Sequence, residues 1–137
     1  MTYEEWEQNL HPRVRNEPVW SFFGYRKALF LYDLVWKDCE KLLEDRRGRV
    51  VVDQIIRSAG SISANMEEGY GRGYGKEYGY FLRVSVGSAR ETKGWYWRGR
   101  QALSPAVLDH RLALLDEIIS LIVTEINRQK KHKRVSE

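Results

Sequence analysis

Gly79, Arg83, Gly87, Arg90, Gly94 and Arg98 recur at steps of four, four, three, four and four residues. On an α-helix that spacing brings all six roughly onto one face. Guanidinium groups grip phosphate oxygens bidentately, and contacts of that kind bind nucleic acid whatever its base sequence. A glycine in a helix interior costs about 0.5–1 kcal/mol relative to alanine, so three on one face want a reason. They let something come close: a sugar–phosphate backbone, or a neighbouring helix whose glutamates meet the arginines. The spacing leaves both open. The overlapping "GWYWRGR" at 94–100 interleaves Trp95, Tyr96 and Trp97 with Arg98 and Arg100. Rings beside arginines can stack on unpaired bases. Three consecutive helical residues point in three directions, however, so one or two of these rings belong to the core or to an interface.

The charge distribution points the same way. Residues 128–134, "RQKKHKR", hold five basic residues, Arg128, Lys130, Lys131, Lys133 and Arg134, and the net charge of +4 leaves the first 127 residues neutral. Within that neutral body, residues 72–100 carry seven basic groups, Arg72, Lys76, Arg83, Arg90, Lys93, Arg98 and Arg100, opposed only by Glu77 and Glu91. Residues 112–127 carry three acids and no base. One basic surface plus a basic tail is a footprint compatible with nucleic acid. A solvated helix face with a disordered tail would give the same pattern.

Enzyme chemistry finds little support. In "SAGSISANMEEGYGRGYG", residues 58–75, four glycines alternate at the end. A dinucleotide loop needs a strand before its glycines and the spacing G-x-G-x-x-G; here a helix precedes them and no G-K-[ST] follows. The expectation is that Gly69 ends a helix in a left-handed conformation and the other glycines form a hairpin. His11, His110 and His132 are scattered, without ligand spacing to a cysteine or carboxylate. Asp53 with Glu68 or Glu91 could hold a metal, but salt bridging is the simpler use. No catalytic residue, metal or cofactor is expected. The single cysteine, Cys39, allows no internal disulfide, and no signal-like or membrane-spanning apolar run is present, so a cytoplasmic protein without membrane contact is expected.

These residues must be positioned by helices. Residues 1–20 read as a polar leader with a short helix capped by Thr2 and Glu5 and broken by Pro12 and Pro18. From Ser21 to Leu43 the apolar positions Tyr25, Ala28, Leu29, Tyr32, Val35, Trp36, Cys39 and Leu42 predict a first long helix. A second runs from Val50 to Glu68, with a polar stripe opposite its apolar face. A third covers Lys76 to Leu103. Ser104 as cap and Pro105 at the first helical position open a fourth, whose Leu108, Leu112, Leu115, Ile119, Ile122 and Ile126 form a coiled-coil-like seam. No strand pattern competes, and the expected domain, residues 21–127, is all-α: an up-down antiparallel four-helix bundle followed by a basic tail at 128–137. A second stripe on the last helix, Val107, Leu114, Ile118 and Leu121, suggests burial on both sides and hence self-association.

"QIIRSAGSISANMEEGYGR" followed by "KEYGYFLRVSVGSARE" resembles the bacterial four-helix-bundle family named for reading frames inside intervening sequences of 23S rRNA genes. The family reads approximately Q-I-R-R-A-x-x-S-I-x-A-N-I-A-E-G in its second helix and K-E-F-x-x-F-L-x-x-A-x-G-S at the start of its third. Gln54, Ile55, Arg57, Ser58, Ser61, Ile62, Ala64, Asn65, Glu68 and Gly69 match the first motif, and Lys76, Glu77, Phe81, Leu82, Gly87 and Ser88 the second. The resemblance covers roughly residues 22–127. It implies a bundle assembled as a homopentameric barrel, similar to the accessory proteins of diversity-generating retroelements, which bind nucleic acid and a reverse transcriptase. Ser63 stands where the family usually has proline, and "RETKGWYWRGR" where it is more aliphatic. Arg57, Ser61, Asn65, Glu68 and Glu91 are expected to form a buried or pore-lining polar network that fixes helix register, since burying such groups unpaired is costly. The function expected is a non-enzymatic, oligomeric nucleic-acid-binding adaptor for a reverse transcriptase or for ribosomal RNA processing. The alternative is a scaffold that docks a partner enzyme without touching nucleic acid.

Overall fold

A computed structural model describes residues 1–72 and 76–136, with side chains described through Lys131. Two short helices, α1 (Tyr3–Gln8) and α2 (Pro12–Arg15), precede four long ones: α3 (Phe23–Glu44), α4 (Gly48–Gly71), α5 (Lys76–Arg98) and α6 (Pro105–Ser136). Single 3-10 turns, Pro18–Ser21 and Arg100–Ala102, lead into α3 and out of α5. No strand occurs among the described residues. Helix α4 packs against α3 and α5, α5 against α6, and α6 closes the bundle against α3.

Each long helix turns one apolar stripe inward. Leu31, Val35 and Leu42 of α3, Ile55, Ile62 and Met66 of α4, Leu82 of α5, and Leu115, Ile118 and Ile122 of α6 are essentially inaccessible to solvent. Each such side chain contributes about 1.5–3 kcal/mol through removal from water. Between α4 and α5 the seam also carries hydroxyls. Thr92 Oγ1 donates to Ser58 Oγ at 2.8 Å and Ser85 Oγ to the Ile62 carbonyl at 2.8 Å. Partners descend along α5 as they ascend along α4, so these two helices run in opposite directions. At the other end of α5, Ser104 Oγ accepts the Val107 amide at 3.2 Å and caps α6 as expected.

The leader is part of the core. The Thr2–Glu5 capping box forms, and it presents Trp6, buried, to Phe30 of α3 and to Trp20. The Trp6 indole donates to Asp33 Oδ2 at 2.6 Å, and Val19 and Trp20 are buried as well. The polar residues of the leader face solvent while its tryptophans complete the bundle.

Four expectations are corrected. Trp36 is 63% exposed and lies outside the core; at three- and four-residue steps it sits at the edge of the stripe that Val35 and Cys39 occupy. Helix α5 ends at Arg98 rather than Leu103, because the chain tightens into the Arg100–Ala102 turn. Helix α6 runs to Ser136, so residues 128–136 continue the helix rather than form a separate tail, and Gln129 is buried. Gly69 does not end α4: the helix continues to Gly71, and the Gly69 backbone is not left-handed. Its reason is space, since a Cβ there would lie 2.7 Å from Phe81 Cβ. The hairpin expected of the later glycines falls on residues 73–75, outside the described residues.

The second stripe of α6 also has an internal use. Leu114 and Ile118 are buried within the single chain, and Val107 and Leu121 partly so. That stripe therefore gives no separate ground for self-association.

Candidate nucleic-acid interface

The basic residues expected to contact phosphate divide into two groups. Arg83 and Arg90 on α5, Lys76 at its start, and Lys130 and Lys131 on α6 are exposed. Among the described residues none of these five has a carboxylate within ion-pair distance. The rest are occupied. Arg72 pairs with Glu68 at 2.9 Å and reaches Glu77 at 3.9 Å. Lys93 pairs with Asp116 at 2.6 Å, and Arg128 with Glu125 at 2.8 Å. Arg98 lies over the Trp95 ring at 4.8 Å, and Arg100 over Trp97 at 4.1 Å. The side chains of Lys133 and Arg134 lie outside the described residues. Ion pairs at an exposed surface contribute only about 0–1 kcal/mol, so a phosphate could displace most of these.

Among the described residues, a Cβ on the glycines of α5 would come within 4 Å of no neighbouring helix. A Cβ at Gly87 would have nothing within 4 Å, and at Gly79 or Gly94 it would meet only the flexible ends of Arg83 and Arg98. Within the chain, tight helix packing is therefore not what these glycines serve. Beside Gly94 an open groove of about 340 Å³ is lined by Arg90, Lys93, Gly94, Trp97 and, from α6, Leu112. The three consecutive aromatics separate as their spacing requires. Tyr96 is fully buried and Trp97 is 54% exposed. Trp95 is half-buried, its indole donating to Glu91 Oε2 at 2.9 Å.

The polar network of α4 is present in part and sits at the surface. Arg57 pairs with Glu91 across to α5, as expected, and also donates to Gln54 at 3.1 Å. Both members of that pair are well exposed in the single chain. Asn65 donates to Ser61 Oγ at 2.9 Å, which in turn accepts from Ser88 Oγ at 2.9 Å. Glu68 is not a member: it holds Arg72 one turn away. Within the single chain the network is not buried, because Arg57, Ser61, Asn65 and Glu68 lie on the flank of α4 away from its apolar stripe. Ser58, nearer the core, is buried.

A buried charged cluster was missed. Asp38 of α3, 6% exposed, accepts from Tyr96 Oη at 2.7 Å and from Arg111 of α6 at 2.7 and 2.9 Å. Burial and then the Asp38 charge raise the Tyr96 pKa well above its ordinary value. Burial works against the Arg111 charge, but the Asp38 carboxylate outweighs it and raises the pKa. His110 Nδ1 lies 2.7 Å from Arg111 Nη1, and its pKa is lowered, first by burial and then by that guanidinium. Three residues from three helices are 58 and 73 positions apart in sequence, so no local motif announces them. Both carboxylate oxygens are spoken for, which suits a clamp between helices. Among the described residues no three His, Cys, Asp or Glu side chains gather as a metal site would need, and no helix is long and apolar enough to cross a membrane.

A family model for the 23S rRNA-intervening sequence protein matches residues 23–124. A crystal structure of a protein of unknown function from the S23 ribosomal protein family of Bacteroides thetaiotaomicron VPI-5482 is similar in fold, with a TM-score of 0.69 at 21% identity. The similarity covers 75% of this chain and 97% of that one. No curated protein matches the chain. The family match begins at the first residue of α3 and runs through α4 and α5 into α6, the helices that carry the basic face, and on that basis the chain belongs to the family of 23S rRNA-intervening sequence proteins.

Proposed function

We propose that this protein is a non-enzymatic, cytoplasmic nucleic-acid-binding adaptor, an up-down bundle assembled as a homopentamer and accessory to a reverse transcriptase or to ribosomal RNA processing. The observation that carries the reading is the α5 face. Arg83 and Arg90 stand exposed without carboxylate partners among the described residues, and Gly87 between them leaves the backbone open to close approach. Lys130 and Lys131 extend the positive charge onto α6. Phosphate contacts of this kind dominate affinity and make it salt-dependent.

Charge reversal tests it. Arg83→Glu with Arg90→Glu is expected to weaken binding of a structured RNA about 10- to 100-fold and to lower the slope of log affinity against log salt by about 2. Fluorescence anisotropy across a salt series measures both, and unchanged affinity would remove this face from the interface. Neutralising Lys130 and Lys131 is the matching test on α6; truncation at Asn127 is the poorer choice, because it removes the buried Gln129. In sedimentation the protein alone is expected at five times its chain mass of 16.2 kDa, and a monomer would sink the pentamer.

A specific observation favours the scaffold reading as the alternative. Trp36 and Leu43 lie seven residues apart on one face of α3 and are 63% and 48% exposed. Exposed large apolar side chains in a row mark a surface for a protein partner. Retained salt-independent capture of a protein by a variant that has lost nucleic acid would support it.

A further inference from the structure

We propose that the groove between α5 and α6 holds one unpaired nucleobase, stacked on Trp97, with its phosphate at Arg90. The proposal rests on the nucleic-acid reading above and deepens it, by naming single-stranded segments as what the site takes.

Trp97 is 54% exposed, whereas Trp95 two residues earlier on α5 is half-buried. One face of its indole is covered by the Arg100 guanidinium at 4.1 Å, and Arg100 is tied down by donating to the Trp97 carbonyl at 2.8 Å. The indole is thus already half of a stack, and the groove it lines is bounded by the aliphatic Leu112 and by Gly94, over which the flexible end of Arg98 lies. An open groove beside an indole with one face already covered suits an unstacked base. A base inside a duplex already has both faces covered, and a phosphate alone has no use for an indole.

The rim supplies the charge. Arg90 opens onto the groove without a carboxylate partner among the described residues, whereas Lys93 on the same rim is held by Asp116 at 2.6 Å. Arg90 precedes Trp97 by seven residues, about 10 Å along the helix axis, and both side chains line the same groove. Base on the indole and phosphate on the guanidinium therefore fall along a single helix face. The groove recognises the base and its phosphate rather than the sugar, so RNA and DNA single strands are both accommodated.

The test compares labelled oligouridine, oligodeoxythymidine and an RNA duplex by anisotropy against the full-length protein, Trp97→Ala and Trp97→Phe. Trp97→Ala is expected to weaken both single strands about tenfold and to leave the duplex and the salt slope unchanged, because no charge is lost. Trp97→Phe should recover most of the single-strand affinity. Equal losses on single strand and duplex, or no loss on single strands that still bind, would overturn the stacking site while leaving the basic face intact. If the unaltered protein binds none of the three probes, the nucleic-acid reading fails and the groove proposal with it. Circular dichroism of both variants checks the fold, which this exposed position should not disturb.

Discussion

Asp38→Ala is expected to destabilise the folded protein by about 3–5 kcal/mol, measured from urea unfolding midpoints. The loss does not come mainly from the missing attraction. Arg111 and Asp38 have side chains only 11% and 7% exposed, and removing the carboxylate leaves a guanidinium largely out of water with its main partner gone. The nearby His110 does not help, since its neutral ring can accept one hydrogen bond but supplies no negative charge. Tyr96→Phe is the control. It removes one donor at 2.7 Å while both Arg111 contacts stay, so a loss of about 1–2 kcal/mol is expected. A cost below about 1 kcal/mol for Asp38→Ala would mean that water reaches Arg111 when the carboxylate is gone, and that the cluster is not a buried clamp.

The glycines give the second large effect, and the sign differs by position. At Gly48, the first residue of α4, a Cβ would lie 2.0 Å from the Leu42 carbonyl oxygen. Backbone cannot yield as a side chain can, so Gly48→Ala is expected to cost about 3 kcal/mol, the upper end for overpacking. Gly69→Ala meets Phe81 Cβ at 2.7 Å and should cost about 1–3 kcal/mol. Gly87→Ala meets nothing within 4 Å and should stabilise the bundle by about 0.5–1 kcal/mol through helix propensity. Thermal unfolding of the three variants separates them, and three equal losses would refute the packing assignment. If Gly87→Ala stabilises the fold yet weakens RNA binding, that glycine serves close approach of the ligand rather than the bundle.

Much of this molecule was legible along the chain. The helices, the Ser104 cap and the leader's capping box depend on neighbours one to four residues away, and sequence spacing reports such neighbours directly. The same holds for the basic face of α5, because an arginine and a glycine three or four positions apart share a side of any helix. The Arg57–Glu91 pair came from the two helix motifs together with the bundle expected of them, and it forms.

What the tertiary structure alone decided is which side of each helix meets water. Helical spacing fixes relative angles within a helix but not the rotation of that helix about its axis. Hence Trp36, one position from Val35, faces solvent, and the polar stripe of α4 lies at the surface of the single chain. The Asp38–Tyr96–Arg111 clamp needs three helices docked at once, so no window of sequence contains it. The glycines make the point most sharply. Gly48, Gly69 and Gly87 are the same residue in three helical positions, and only the distance to the nearest atom of a neighbouring element separates a packing requirement from an open surface.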